Sequence, residues 1–122
     1  MGKGFRRIAY VGATGKREDH TLGNISLLAR YASAFGIEPT MFTDHGWFRV
    51  VNGNARILTF PRQQISLFNI SCRQIESTGL KWKAYPYREL WQGTLNEAKG
   101  NVISLETDGI LIVFLTYSAK KP

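Results

Sequence analysis

Apolar and polar positions along the chain change their period near residue 44. The run Ile8 to Val11 is short and apolar and follows Arg6 and Arg7, which predicts a strand over Arg6 to Val11. After a glycine-bearing turn, Leu22, Ile25, Leu28, Ala29, Ala32 and Phe35 recur at spacings of three and four, the single apolar stripe of an amphipathic helix. Asp19 or Thr21 can cap that helix, because either side-chain oxygen can accept from the unpaired amides of the first turn. Gly36 supplies the stop. Thr40 to Phe42 then predicts a second strand, and the strand, helix and strand together make a βαβ unit whose strands should run parallel in one sheet. A lone unit of this kind has too little partner surface for a complete α/β domain, so it reads as an appendage or as the end of a larger one.

From His45 onward, short apolar or aromatic runs alternate with turn residues and no helical period returns. Trp47 to Val51 and Ala55 to Phe60 flank Asn52-Gly53-Asn54, which predicts a hairpin because Asn and Gly tolerate positive φ. Gln64 to Ile70, Cys72 to Glu76 and Leu80 to Tyr85 are further candidate strands. Tyr85 to Trp91 fits an aromatic loop and a short helical turn equally well. Val102 to Glu106 and Ile110 to Tyr117 predict a closing hairpin around Thr107-Asp108-Gly109, with Ile110 to Leu115, apolar on both faces, as a central strand. Short strands at this spacing indicate a β-sandwich or barrel. The expected fold class is therefore α+β, mainly β: a βαβ segment over 1–44 followed by an antiparallel β-sandwich over 45–122.

Composition narrows the partners. The hydrophobic fraction of 43% supports a packed core. The longest apolar run, Ile110 to Leu115, is too short for a membrane-spanning helix, and the basic Met1 to Arg7 stretch is unlike a signal peptide because its apolar continuation ends at Gly12. A soluble, cytoplasmic protein with no membrane partner is expected. The single cysteine, Cys72, excludes an internal disulfide framework and reads as a small buried residue. The net charge is +7, but the cations are dispersed in runs of no more than two, which argues against a nucleic-acid strip.

Candidate chemistry concentrates in the turn Gly12-Ala-Thr-Gly-Lys-Arg-Glu-Asp-His20. It lacks the gap between glycines and the Ser/Thr after Lys of a phosphate loop, and as a dinucleotide fingerprint it is incomplete. Arg17 and Asp19 keep two readings. In one, Asp19 complements the helix dipole and Arg17 is solvated. In the other, Arg17 neutralises a phosphoryl group while Asp19 binds magnesium or accepts a hydroxyl proton.

The stretch Gly12-Ala-Thr-Gly-Lys-Arg-Glu-Asp-His-Thr-Leu-Gly-Asn24 resembles the Gly-x-Thr-Gly-Gly-Arg-x-Asp-His signature of the thiamine pyrophosphokinase family. Ser77-Thr-Gly-Leu-Lys-Trp82 and Gly93-Thr-Leu-Asn-Glu-Ala98 resemble later stretches of the same family in the same order, so the resemblance runs from about Arg6 to Tyr117. It implies an amino-terminal α/β catalytic domain, of which 1–44 would be the last βαβ part, and a carboxy-terminal thiamine-binding sandwich over 45–122. It implies transfer of pyrophosphate from ATP to thiamine, releasing AMP, with Mg2+ as cofactor. The family's Asp-rich motifs precede the turn, and no Asp precedes Asp19 here, so the isolated chain is expected to be an inactive fragment.

Carried over residue by residue, the resemblance gives Arg17 and Asp19 catalytic roles, with Asp19 acting on the reacting hydroxyl or on its magnesium ion and Thr14, Lys16 and Arg17 the candidate ATP phosphate contacts. Thr94 and Asn96 match the loop that binds thiamine, where Leu95 replaces a common Ser. Trp82 and Trp91 are candidates for stacking on the cationic thiazolium, against the ordinary role of a strand tryptophan as core. The resemblance also implies a homodimer in which one sandwich completes the other subunit's pocket. The alternative is a non-enzymatic basic sandwich that binds nucleic acid or mediates dimerisation.

Overall fold

The apolar run that closes the chain becomes the longest strand, β9 (Ile110–Ala119). The computed structural model describes residues 6–11, 27, 28, 30 and 37–119. Within these, β9 lies between β3 (Gly46–Asn52) and β5 (Gln63–Asn69), antiparallel to both. Leu111, Val113 and Leu115 are buried on one face and Ile110 and Ile112 on the other, so the central strand expected here is present. Covering both faces is what makes its sequence a continuous apolar run instead of an alternating one.

With β1 (Arg6–Val11), β2 (Ile37–Phe42) and β7 (Asn96–Glu97) the larger sheet has six strands in the order β1-β2-β3-β9-β5-β7. A second sheet of three strands, β4 (Ala55–Leu58), β6 (Ile75–Thr78) and β8 (Val102–Thr107), has the order β4-β8-β6. Ile65, Leu67, Leu111 and Val113 of the first pack with Ile57, Ile75, Ile103 and Leu105 of the second into one core. The described part is therefore mainly β with antiparallel pairing dominant, the sandwich that the 45–122 pattern predicted.

β1 and β2 are paired in parallel, Arg6 opposite Ile37 through Val11 opposite Phe42. Between them Leu27, Leu28 and Arg30 are helical, and Leu28 packs on the outer face of the sheet with Met41, Val50, Ile110 and Ile112. The remainder of the expected helix, including its caps and the Gly12 to His20 turn, lies outside the described residues. β2 begins at Ile37, ahead of the expected Thr40, and runs through Pro39. The ladder from β2 to β3 covers only Thr40 to Phe42, so Pro39 lies beyond it while standing opposite Ile8 in the ladder to β1. The boundary drawn between residues 44 and 45 falls in the Thr43 to Gly46 turn. There the Thr43 hydroxyl oxygen accepts from the Gly46 amide at 3.2 Å, and the sheet is continuous across the turn.

Both expected hairpins are corrected. β3 and β4, on either side of Asn52-Gly53-Asn54, do not pair with each other; β3 joins the larger sheet and β4 the smaller. β8 and β9 separate in the same way at Thr107-Asp108-Gly109. Gly53 does adopt positive φ, at 93°, but its turn crosses from one sheet to the other. The two crossings are bonded together: the Gly53 amide donates to the Gly109 carbonyl at 3.3 Å, and the Thr107 hydroxyl donates to the Gly53 carbonyl at 2.7 Å. Turn chemistry specifies a reversal of the chain, whereas the burial of inward-facing side chains on both sheets decides that the reversal is an arch.

At the second crossing Asp108 Oδ1 accepts from the Arg73 and Gln74 amides at 2.8 and 3.0 Å. These bonds, the Gln74 one foremost, hold its carboxyl below the ordinary carboxylate value. A group depressed on folding stabilises the native state above its unfolded pKa of about 4, and that contribution disappears as pH falls through the lower folded value. An Asp108→Asn chain should show a flatter loss of stability in urea titrations below about pH 4, and an unchanged acid limb would contradict this. Cys72 is buried, as expected, with its thiol donating to the Ile110 carbonyl at 3.4 Å. Burial raises its pKa, so the thiol is kept protonated and inert.

Candidate functional site

The short strand β7 is extended by the chain before it, and the extension builds a cleft. Segments 79–82 and 96–99 run antiparallel: the Lys99 amide donates to the Gly79 carbonyl at 2.7 Å, Leu80 bridges Ala98, and the Lys81 amide donates to the Glu97 carbonyl at 2.8 Å. A side chain makes the next rung. Asn96 Oδ1 accepts from the Trp82 amide at 3.1 Å while Asn96 Nδ2 donates to the Trp82 carbonyl at 2.8 Å. The same Oδ1 accepts from the Glu97 amide at 2.9 Å. Asn96 is only 4% exposed, so its amide group imitates a backbone unit and clamps Trp82 to the β7 segment.

The loop before Asn96 is shaped by a 3-10 turn at Leu90–Gly93. Tyr85 to Trp91 thus resolves into an extended aromatic stretch followed by the start of this turn. Gln92 Oε1 accepts from the Arg88 and Glu89 amides at 2.9 and 3.0 Å, closing the turn's amino end. At the other end the Thr94 hydroxyl donates to the Trp91 carbonyl at 2.7 Å, which leaves the oxygen's lone pairs as acceptors. A Cβ on Gly93 would run into the Leu67 carbonyl oxygen and the Tyr87 ring, so this close approach requires glycine. Leu95 has φ 65° and is 76% exposed. A leucine in the left-handed region stores backbone strain, and strain of this kind gathers at binding sites.

The resulting cleft has a volume of about 270 Å³ and is lined by Trp82, Tyr85 and Tyr87 and by Gln92, Thr94, Leu95 and Asn96, with the cation Lys83 also in the lining. Tyr85 and Tyr87 meet at 4.3 Å between centroids, tilted by 60°. Burial, reinforced by the neighbouring Tyr85, raises the Tyr87 pKa, so its phenol stays neutral. Among the described residues the lining holds no carboxylate.

Of the residues singled out in the sequence, Trp82, Thr94 and Asn96 come together here. Trp91 is 69% exposed and does not line the cleft; its carbonyl serves the turn. Thr14, Lys16, Arg17 and Asp19 lie outside the described residues. Among the described residues no group of three or more His, Cys, Asp or Glu is placed to hold a metal ion. The sequence reading missed Tyr85, Tyr87 and Gln92 as lining residues. The aromatic pair in Tyr85-Pro-Tyr87 was the available signal, but its wall of the cleft exists only once the Gly93 turn brings Thr94 back beside it.

Residues 46–114 match a family model described as thiamin pyrophosphokinase, substrate-binding domain. Among curated proteins none matches the chain. Among solved structures, the thiamine pyrophosphokinase from Bacillus subtilis is similar over 92% of this chain and 56% of its own, with 22% identity and a TM-score of 0.76. The enzyme from Candida albicans matches over 92% of this chain and 44% of its own, at 17% identity and a TM-score of 0.76. That from Geobacillus thermodenitrificans matches over 97% and 57%, at 25% identity and a TM-score of 0.69. The chain thus spans about half the length of the solved structures it resembles.

Proposed function

The chain belongs to the thiamin pyrophosphokinase family, with the family's substrate-binding domain over residues 46–114, and on that premise we propose that the cleft beside β7 binds thiamine. The observation that carries this reading is the meeting of Trp82, Thr94 and Asn96 in one cleft. Thiamine joins an aminopyrimidine, which needs hydrogen-bond partners, to a cationic thiazolium, which favours an aromatic face. The Thr94 oxygen offers an acceptor to the amino group. Asn96 spends both acceptor positions and one donor on Trp82 and Glu97 and keeps one amide hydrogen for a ring nitrogen.

In the complete reaction, the thiamine hydroxyl would attack the β-phosphorus of ATP in line and release AMP. Arg17, with Thr14 and Lys16, would neutralise the phosphates, and Asp19 would accept the hydroxyl proton or hold magnesium. The magnesium reading rests on Asp19, where the metal would supply charge neutralisation. Residues 1–44 would be the last βαβ part of the ATP-binding domain, and the chain by itself would bind without turnover.

We further propose a homodimer. Trp82, Tyr85, Trp91 and Leu95 are all exposed around the cleft, and a shallow apolar site open on one side is completed when a second copy covers it. Sedimentation should give a dimer mass that dissociates on dilution; a monomer at every concentration counts against it.

The deciding experiment is calorimetric titration of the chain with thiamine. Saturable binding is expected, weakened about 3- to 5-fold by Thr94→Val, which keeps the shape but removes the acceptor offered to thiamine together with the hydroxyl's bond to the Trp91 carbonyl. No AMP should appear when ATP is added. Steeply salt-dependent binding of a random oligonucleotide, with no response to thiamine, would instead mark a nucleic-acid module.

A further inference from the structure

The face of Trp82 is not wholly free for a ligand. The Lys81 ammonium stands 4.7 Å from the centroid of the Trp82 ring and 3.7 Å from Glu97 Oε2. Glu97 is a buried carboxylate on β7, while the Lys81 side chain is about half exposed. The same two residues are joined through the backbone by the Lys81 amide and Glu97 carbonyl, so ammonium and carboxylate are held on adjacent chain segments. A cation over an indole is attracted by the ring quadrupole, and the Glu97 carboxylate adds a modest attraction that favours the same position.

Resting on the thiamine reading of the cleft, we infer that Lys81 is a positioning residue that orients the Trp82 ring and occupies one of its two faces. Asn96 holds the Trp82 backbone at both its amide and its carbonyl, but a ring that is 52% exposed still has rotational freedom about its side-chain bonds. Lys81, anchored by Glu97, removes that freedom. One ring face then carries an ammonium, and only the opposite face can stack on a planar ligand. The pair Lys81 and Glu97 thereby sets the side from which a ligand approaches, without touching the ligand itself.

Three variants of the full chain test this: Lys81→Met, which keeps length without charge, Lys81→Arg, which keeps the cation and its carboxylate partner, and Glu97→Gln, which releases the anchor. Each is made with Trp82 and with Trp82→Phe, so that the difference in emission and acrylamide quenching isolates the Trp82 ring. Lys81→Met is expected to raise Trp82 quenching about twofold and weaken thiamine about fivefold, with Glu97→Gln intermediate and Lys81→Arg within about twofold of the parent in both readouts. Unchanged Trp82 emission and thiamine affinity in Lys81→Met would overturn the inference. So would equal affinity losses in the Met and Arg variants with no spectral change, since Lys81 would then act on the ligand directly. If the parent fails to bind thiamine but the spectral ordering of variants holds, the thiamine reading fails and the positioning role stands.

Discussion

Replacing Asn96 with Ala is expected to lower the thermal midpoint of the chain by roughly 10 °C, whether or not thiamine is present. The side chain is 4% exposed and satisfies the Trp82 amide, the Trp82 carbonyl and the Glu97 amide. Its removal leaves these groups without partners in a place where water enters poorly. Each unsatisfied buried group costs about 1–3 kcal/mol, and partial rehydration brings the sum to about 2–4 kcal/mol. At roughly 4 °C per kcal/mol for a chain of this size, the fall follows. Differential scanning calorimetry with and without ligand checks it. Were Asn96 only a thiamine ligand, the ligand-free midpoint would stay where it is and affinity alone would drop. Asn96→Asp makes a sharper comparison, because it keeps the two acceptor bonds but sets a carboxylate against the Trp82 carbonyl. It should be less stable than the parent at neutral pH and recover as the carboxyl is protonated.

Replacing Trp82 with Ala is expected to weaken thiamine binding about 5- to 30-fold while leaving the thermal midpoint within a few degrees. A ring stacked on a cationic or electron-poor heterocycle contributes on the order of 1–2 kcal/mol, which is this range of affinity. Stability should hardly change because the ring is half exposed and its backbone is held by Asn96, not by its own packing. Isothermal titration gives the affinity and far-ultraviolet circular dichroism reports the fold. Trp91→Ala supplies the control: it lies off the cleft lining, so its effect should fall on dimerisation and not on the affinity of a single site. Equal losses of affinity in both variants would remove the distinction between the two tryptophans.

Strand positions are legible where the pattern is local: Arg6 to Val11, Gln64 to Ile70, Val102 to Glu106 and Ile110 to Tyr117 all fall within observed strands or overlap them by all but a residue, whereas Leu80 to Tyr85, expected as a strand, keeps only the Leu80 bridge to Ala98. The likeness of Ser77 to Trp82 and Gly93 to Ala98 to one family was also legible, because those motifs are short and contiguous. Pairing was not. Asn52-Gly53-Asn54 and Thr107-Asp108-Gly109 have the composition of hairpin turns, yet both carry the chain between sheets.

By itself, then, the sequence determined a mainly β chain, the turn at Gly53 with its positive φ, and a small set of polar and aromatic residues suited to a heterocyclic cation. The tertiary structure alone decided which strands are neighbours, because pairing depends on burying side chains from distant segments in a shared core. It also decided that Trp82 lies beside Asn96 and Thr94 while Trp91 does not, and that Tyr85 and Tyr87 join the cleft. A side chain such as Asn96, replacing a rung of the ladder, cannot be read from its own neighbours. Its three bonds exist only after segments 79–82 and 96–99 have been brought together by the sheet beneath them.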